Sequence, residues 1–250
     1  RASGLVALTF MNSQNAATCG WLFALLKGQV YAEGVHAGPC KNTKKRLMPR
    51  ENGHSAGAKK FREIIRHCSE RGIDCVTVYA FSTENWKRPQ NEVDTIMKLF
   101  RDYIKEAERD FEKNDVRVLF IGNRDVFDDS MKREMAEVEH LTASRSKILC
   151  VAINYGGRGE IVDAVNSLIR RGKRTLSEQD ITDTIYSGVV PPPDLIVRTG
   201  GEMRLSNFLL WQSAYAELFF TDTLWPDFTT GEVDDIIDRF YHRNRRYGGI

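Results

Sequence analysis

Ile148-Leu-Cys-Val-Ala-Ile-Asn154 is a nearly uninterrupted apolar run, and Val151, Ala152 and Ile153 leave it without a polar face. Such a strand needs cover on both sides, as strands of a parallel sheet between helices have. It is followed by Tyr155-Gly-Gly-Arg158 and a helical pattern over 160–171. The same alternation spreads in both directions. Toward the amino end, the periodicity predicts a helix over 129–142, a strand over 116–121 and a strand over 73–81. It also predicts a long helix over 92–114, with Val93, Ile96, Phe100, Ile104, Ala107 and Phe111 inward. A helix over 58–71 puts Phe61, Ile64, Ile65 and Cys68 on one face and stops at Gly72. Toward the carboxyl end come a helix over 178–187, the break Pro191-Pro192-Pro193, a strand over 194–198, a helix over 207–215, a short strand over 217–220 and a helix over 232–246. Strands that alternate with long helices predict an α/β fold, a single domain with a mainly parallel central sheet flanked by helices.

The 250 residues suffice for a sizeable core, and 42% apolar with 28% charged residues fits a soluble globular chain. A net charge of +2 does not argue for nucleic acid, so an anionic partner has to be met by local clusters. Cys19, Cys40, Cys68, Cys75 and Cys150 are odd in number and lack a CxxC spacing, which favours a reducing compartment over a zinc site or disulfides. No apolar run reaches the roughly 18 residues of a membrane span. The run at 16–26 is broken by Thr18, Cys19 and Gly20 and lacks a signal-peptide flank. The expected location is cytoplasmic, with membrane contact only through a lipid product.

Ligands of open parallel sheets bind beyond the carboxyl ends of the strands. The exits here are Ser82-Thr-Glu-Asn-Trp-Lys-Arg-Pro89, Tyr155-Gly-Gly-Arg158, Arg198-Thr-Gly-Gly-Glu-Met-Arg204-Leu-Ser206 and Thr221-Asp222. Arginine forks suit phosphate oxygens, and paired glycines or a helix amino end near Ser206 would bring N–H groups to an anion. Arg88, Arg158, Arg198 and Arg204 therefore make a convergent anion site. Plainer readings stand beside this one. Ser82 and Asn85 could cap the next turn, Trp86 could be core, and Glu217 could pair with a structural arginine. His54 lies among Arg50, Lys59 and Lys60, which leaves an anion role open.

These exits resemble the cis-prenyltransferase family, most closely the bacterial undecaprenyl diphosphate synthases. The resemblance runs through Pro49-Arg-Glu-Asn-Gly-His54, 79–89, Asn154-Tyr-Gly-Gly-Arg158, 198–212, Tyr215-Ala-Glu217, Leu224-Trp-Pro-Asp-Phe228 and Arg245-Arg-Tyr-Gly-Gly249. It makes 44–250 the prenyltransferase domain, with 1–43 an atypical segment of the same domain. It implies extension of an allylic diphosphate, such as farnesyl diphosphate, by isopentenyl diphosphate with cis double bonds, Mg2+ and a homodimer. By the resemblance, Arg198, Arg204 and Ser206, with Leu205 between them, hold the isopentenyl diphosphate. Gly38, Arg50 and His54 belong to the allylic diphosphate. Ser82 and Asn85 line the reacting centre, with Asn85 near the proton that is lost, while Thr83, Glu84, Trp86 and Arg88 position substrate. Glu217 helps bind Mg2+ across the dimer, and Arg246 and Gly248 reach a partner's site.

The family's Asp-Gly-Asn-Gly-Arg-Trp loop is missing. Counted without gaps, its place reads Ala37-Gly38-Pro39-Cys40-Lys41-Asn42, with no carboxylate for a metal. A gapped alternative takes 5–11 as the first strand and puts Asn12 at the aspartate's place, at the expense of a long insertion. The chain thus reads as an elongating enzyme, as one impaired by that loss, or as a binding subunit of the same fold. Asp234-Asp235-Ile-Ile-Asp238 spells the DDxxD of trans-prenyltransferases, but those are all-helical, and the predicted strands make it a solvated helix face. No Gly-x-Gly-x-x-Gly or phosphate-loop motif supports a nucleotide-binding protein.

Overall fold

A computed structural model of the chain describes residues 7–12, 50–110 and 115–242, with the backbone alone for 7–12, 50–59, 99, 103, 105–110 and 226. In chain order the elements are β1 (Ala7–Asn12), α1 (Arg50–Glu70), β2 (Cys75–Ser82), α2 (Gln90–Asp110), β3 (Val116–Ile121), α3 (Asp129–Leu141), β4 (Lys147–Tyr155), α4 (Gly157–Arg170), α5 (Glu178–Thr184), β5 (Leu195–Thr199), β6 (Glu217–Thr221) and α6 (Thr230–His242). The strands form one sheet in the order β3-β4-β2-β1-β5-β6, parallel throughout.

β4 explains the layering. Leu149, Val151 and Ile153 enter one core with Phe61, Phe100, Met135 and Phe240, from α1, α2, α3 and α6. Cys150, Ala152 and Tyr155 enter a second with Tyr79, Ile196 and Phe208. Both faces are covered, as the apolar run requires. The cover of the second face is partly irregular chain: Phe208 and Leu209, from the loop after β5, are core residues. Phe208 stacks on Tyr79 at 4.2 Å and 7° and meets Tyr155 edge-on at 5.7 Å. Burying one such aromatic contributes roughly 2–3 kcal/mol.

The helix expected over 207–215 is not formed. Ser206, Asn207 and Leu209 have φ of 47°, 63° and 43°, a left-handed backbone that a right-handed helix excludes. Only a 3₁₀ turn, Gln212–Tyr215, follows. No helix therefore aims its amino end from Ser206. The helix expected over 178–187 stops at Thr184, because Ile185 is extended, and a separate 3₁₀ turn takes Tyr186–Val189. α1 begins earlier than its periodicity suggests and ends before Gly72, whose φ of 81° reverses the chain. α6 starts at Thr230 behind a cap. Thr229 Oγ1 accepts from the Glu232 amide at 3.1 Å, and Glu232 Oε2 accepts from the Thr229 amide at 3.0 Å.

The DDxxD run lies on α6, and its carboxylates are partly a seam to α1. Asp234 meets His67 Nε2 at 2.8 Å and Arg71 Nε at 3.0 Å, and Asp238 meets Arg71 Nη2 at 3.0 Å. Asp235 is exposed. Asp234→Asn is expected to destabilise the fold by about 1 kcal/mol, as a half-exposed ion-pair network does, while Asp235→Asn leaves the urea midpoint unchanged. Equal midpoints for both variants would dismiss the seam.

Candidate functional site

From β1 the chain builds β2, β3 and β4 on one side and β5 and β6 on the other. The crevice at such a reversal is where an open parallel sheet takes its ligand. At the carboxyl edge of that crevice, Met11 lies opposite Arg198 and Asn12 opposite Thr199.

Arg198 is 0% exposed and heads the fully buried side chains. Its Nη1 donates to the Arg204 carbonyl and, at 2.9 Å, to Ser206 Oγ. Its Nε and Nη2 are buried and have no hydrogen-bond partner among the described residues. Burial, helped by the Arg204 charge, brings the guanidinium down to about 10, so it is still a cation at neutral pH. A buried cation with two unanswered donor groups is costly. A bound anion would answer it.

The other three arginines of the expected cluster are placed differently. Arg88 pairs with Glu92 on α2, Arg204 pairs with Glu202, and Arg158 is exposed at the start of α4. Arg204 still contributes its carbonyl to Arg198. The glycine pairs also differ from expectation. Gly200 and Gly201 donate to the carbonyls of Thr223 and Thr221, both at 2.9 Å, and Gly157 donates to that of Asn207 at 2.7 Å. These amides tie strand exits together and do not wait for an anion.

Ser82 closes β2, buried, and its amide donates to Asn85 Oδ1 at 2.8 Å. The capping reading thus holds for Asn85, whose bond opens the 3₁₀ turn Thr83–Lys87, while the Ser82 side chain makes no cap bond. Thr83 and Glu84 are exposed on that turn. Burial works against the Glu84 carboxylate. Hydrogen bonds from Asn207, its own amide, Ser82 and Thr83 nevertheless hold it below the usual carboxylate range. Trp86 is 37% exposed and not core. Its Nε1 donates to Asn154 Oδ1 at 2.7 Å, and its ring meets Phe81 edge-on at 5.2 Å. Asn154, with φ of 45°, also donates to the Asn123 carbonyl at 2.7 Å. It joins the exits of β2, β3 and β4. Sequence reasoning passed over both Asn154 and Asn207; the signal was an asparagine at a strand exit, the residue that tolerates a left-handed backbone.

Leu205 is half-buried against the second core. Met203 is 78% exposed. Glu217 does not join Arg198 within one chain. It opens β6 opposite Leu195, while Arg198 lies opposite Phe220, about 10 Å further along the strand. Arg50 and His54 fall in the first turns of α1 by their backbone. Gly38, Arg246 and Gly248 lie outside the described residues. Among the described residues, no three His, Cys, Asp or Glu side chains group to hold a metal, and no helix is long and apolar enough to cross a membrane.

A family model described as "Putative undecaprenyl diphosphate synthase" matches residues 37–248. The chain belongs to this prenyltransferase family. An isoprenyl transferase of Fusobacterium nucleatum is 48% identical over 208 residues, covering 83% of this chain and 90% of the relative. The crystal structure of a "probable undecaprenyl diphosphate synthase" from Campylobacter jejuni superposes with a TM-score of 0.76 at 31% identity, over 98% of this chain and 99% of that one. Lavandulyl diphosphate synthase from Lavandula x intermedia, crystallised with dimethylallyl diphosphate, gives 0.77 at 28% identity, over 84% and 93%. β1 lies before the span of the prenyltransferase family model, yet it occupies the middle of the sheet.

Proposed function

We propose that the chain condenses isopentenyl diphosphate with an allylic diphosphate, such as farnesyl diphosphate, to give a longer Z-polyprenyl diphosphate. The observation that carries the reading is Arg198, a buried cation at the sheet's crevice with donors left for phosphate oxygens. In this assignment Arg198 and the Ser206 hydroxyl hold the isopentenyl diphosphate, and Arg204 adds its charge from the exposed side. Arg50, His54 and Gly38 belong to the allylic diphosphate. The exposed face of Trp86, fixed by Asn154, offers the hydrocarbon a flat apolar wall. The new carbon–carbon bond forms as the allylic C–O bond breaks, diphosphate leaves with the electron pair, and one proton is lost beside Ser82 and Asn85. Fixed cations next to the leaving diphosphate stabilise the charge as it develops.

Mg2+ belongs to this reading. The described residues build no cage for it, which suits an ion bound through one or two carboxylates plus substrate phosphates and water. Glu217 is the carboxylate we assign. When bound, the ion supplies positive charge to diphosphate oxygens. Because Glu217 stands about 10 Å along β6 from Arg198, it serves the site of a second copy. β6 is an edge strand, with Leu218 on it and Tyr215 just before it exposed, which supports a homodimer whose partner also receives Arg246 and Gly248. The buried free thiols Cys68, Cys75 and Cys150 support a reducing, cytoplasmic location.

One observation favours a second reading, a binding subunit with little turnover: β1 ends in Asn12, an amide, at the edge where Arg198 emerges. Incubation with labelled isopentenyl diphosphate, farnesyl diphosphate and Mg2+ separates the two. The expected result is label in extractable prenyl diphosphates. Isopentenyl diphosphate binding in calorimetry without incorporation assigns the chain to the second reading; neither binding nor incorporation removes both.

A further inference from the structure

We propose that Asn207 is a positioning residue that holds the two halves of the diphosphate site in register. The inference rests on the reading just given. Asn207 adopts a left-handed φ of 63° directly after Ser206, the residue that holds Arg198. Its carbonyl accepts from Gly157 at 2.7 Å and its Oδ1 accepts from Arg158 at 2.9 Å, while its Nδ2 donates to Glu84 Oε1 at 2.9 Å. One residue on the β5 exit thereby ties the β4 exit and the β2 exit. The amide can face only one way in this setting, because the Arg158 N–H needs an acceptor and the Glu84 carboxylate needs a donor.

The neighbours are cut to fit it. A Cβ on Gly156 would lie 2.8 Å from Asn207 Nδ2 and 2.7 Å from Thr83 Oγ1, and one on Gly157 would lie 3.2 Å from the Asn207 carbonyl oxygen and 2.9 Å from Leu210 Cγ. The Gly-Gly pair after β4 is there so that Asn207 can approach. On the other side, Phe208 is locked into the second core by its stack on Tyr79. Asn207 is thus held independently of substrate. It links the Arg198–Ser206 half to the 83–87 turn that carries Asn85 and Trp86. A misplacement of about 1 Å between reacting groups lowers a rate about 100-fold.

A plain helix cap is the competing role, and the two differ in sign. Aspartate is as good a cap as asparagine and suits a helix amino end. Asn207→Asp would therefore keep both stability and rate if capping were all. As a positioning residue it would face Glu84 carboxylate to carboxylate. The expected result is a melting midpoint near the parent's, kcat lowered about 100-fold and KM for isopentenyl diphosphate changed little. Adding Glu84→Gln restores a donor opposite the new carboxylate and should recover most of the kcat lost in Asn207→Asp. Glu84→Ala should reproduce the loss without touching α4. Parental kcat in Asn207→Asp, or no recovery in the double variant, overturns the proposal while leaving the enzyme reading intact.

A parent without turnover sinks the enzyme reading instead. Amide exchange then decides on Asn207. In Asn207→Ala, protection should fall over 83–87 together with 157–158, and a fall confined to 157–158 reduces the residue to a cap.

Discussion

Arg198→Met is expected to lower kcat/KM for isopentenyl diphosphate by about 10³-fold, which corresponds to roughly 4 kcal/mol of transition-state binding. Methionine keeps most of the volume and removes the charge and every donor. The stability readout should move the other way. The guanidinium is buried with Nε and Nη2 unanswered among the described residues, and exchanging such a buried charge for an apolar group is neutral or stabilising by about 1–3 kcal/mol. A residue that merely braced the loop after β5 would lose stability and activity together. Denaturant midpoints and steady-state kinetics on one preparation distinguish these outcomes, and a destabilised variant with near-normal kcat/KM would remove Arg198 from the site.

Gly122→Ala is expected to cost more than about 3 kcal/mol of folding stability. Gly122 follows β3 with φ of 124°, and an added Cβ would stand 2.0 Å from the Ile153 carbonyl oxygen and 3.1 Å from that of Asn154. Both atoms are backbone of β4, so no side chain can swing aside. The end of β4 would have to move, and Asn154 and its bond to Trp86 would move with it. Gly72→Ala is the contrast. Its φ of 81° is also left-handed, but nothing lies within 4 Å of the added methyl, so the loss should be about 1–2 kcal/mol. Urea unfolding of the two variants measures the difference, and similar midpoints would show that the β3–β4 closure is looser than the contact implies.

These two positions also mark what the sequence could convey. β3 was legible to the residue, and β4 within one residue at each end, because burial on both faces writes an apolar run that has few other meanings. Arg198 was legible by its place beyond a strand. The loop that completes its surroundings was not. A helix was expected over 207–215, yet three left-handed residues at 206, 207 and 209 turn Phe208 and Leu209 into the core as irregular chain. Periodicity counts which residues are buried and says nothing about the backbone that buries them. The glycine pairs were visible, but their partners were carbonyls distant in sequence, so an anion cradle and a close chain crossing looked alike. Asn154 and Asn207 act through three-way contacts between exits, and no local spacing records that. The terminal expectations at Gly38, Arg246 and Gly248 fall outside the described residues.

The central place of β1 bears on how the molecule comes to exist. Its neighbours in the sheet are β2 and β5, so Leu8 pairs with Leu195. On a ribosome β1 emerges before both partners, and its second edge finds β5 only after β2, β3 and β4 have been made. Non-local pairing of this kind slows folding and leaves an open edge exposed in the meantime. The crevice between β1 and β5 cannot close until β5 has been made. A nascent chain therefore has no Arg198 pocket to occupy, and diphosphate present in the cell can stabilise only finished protein.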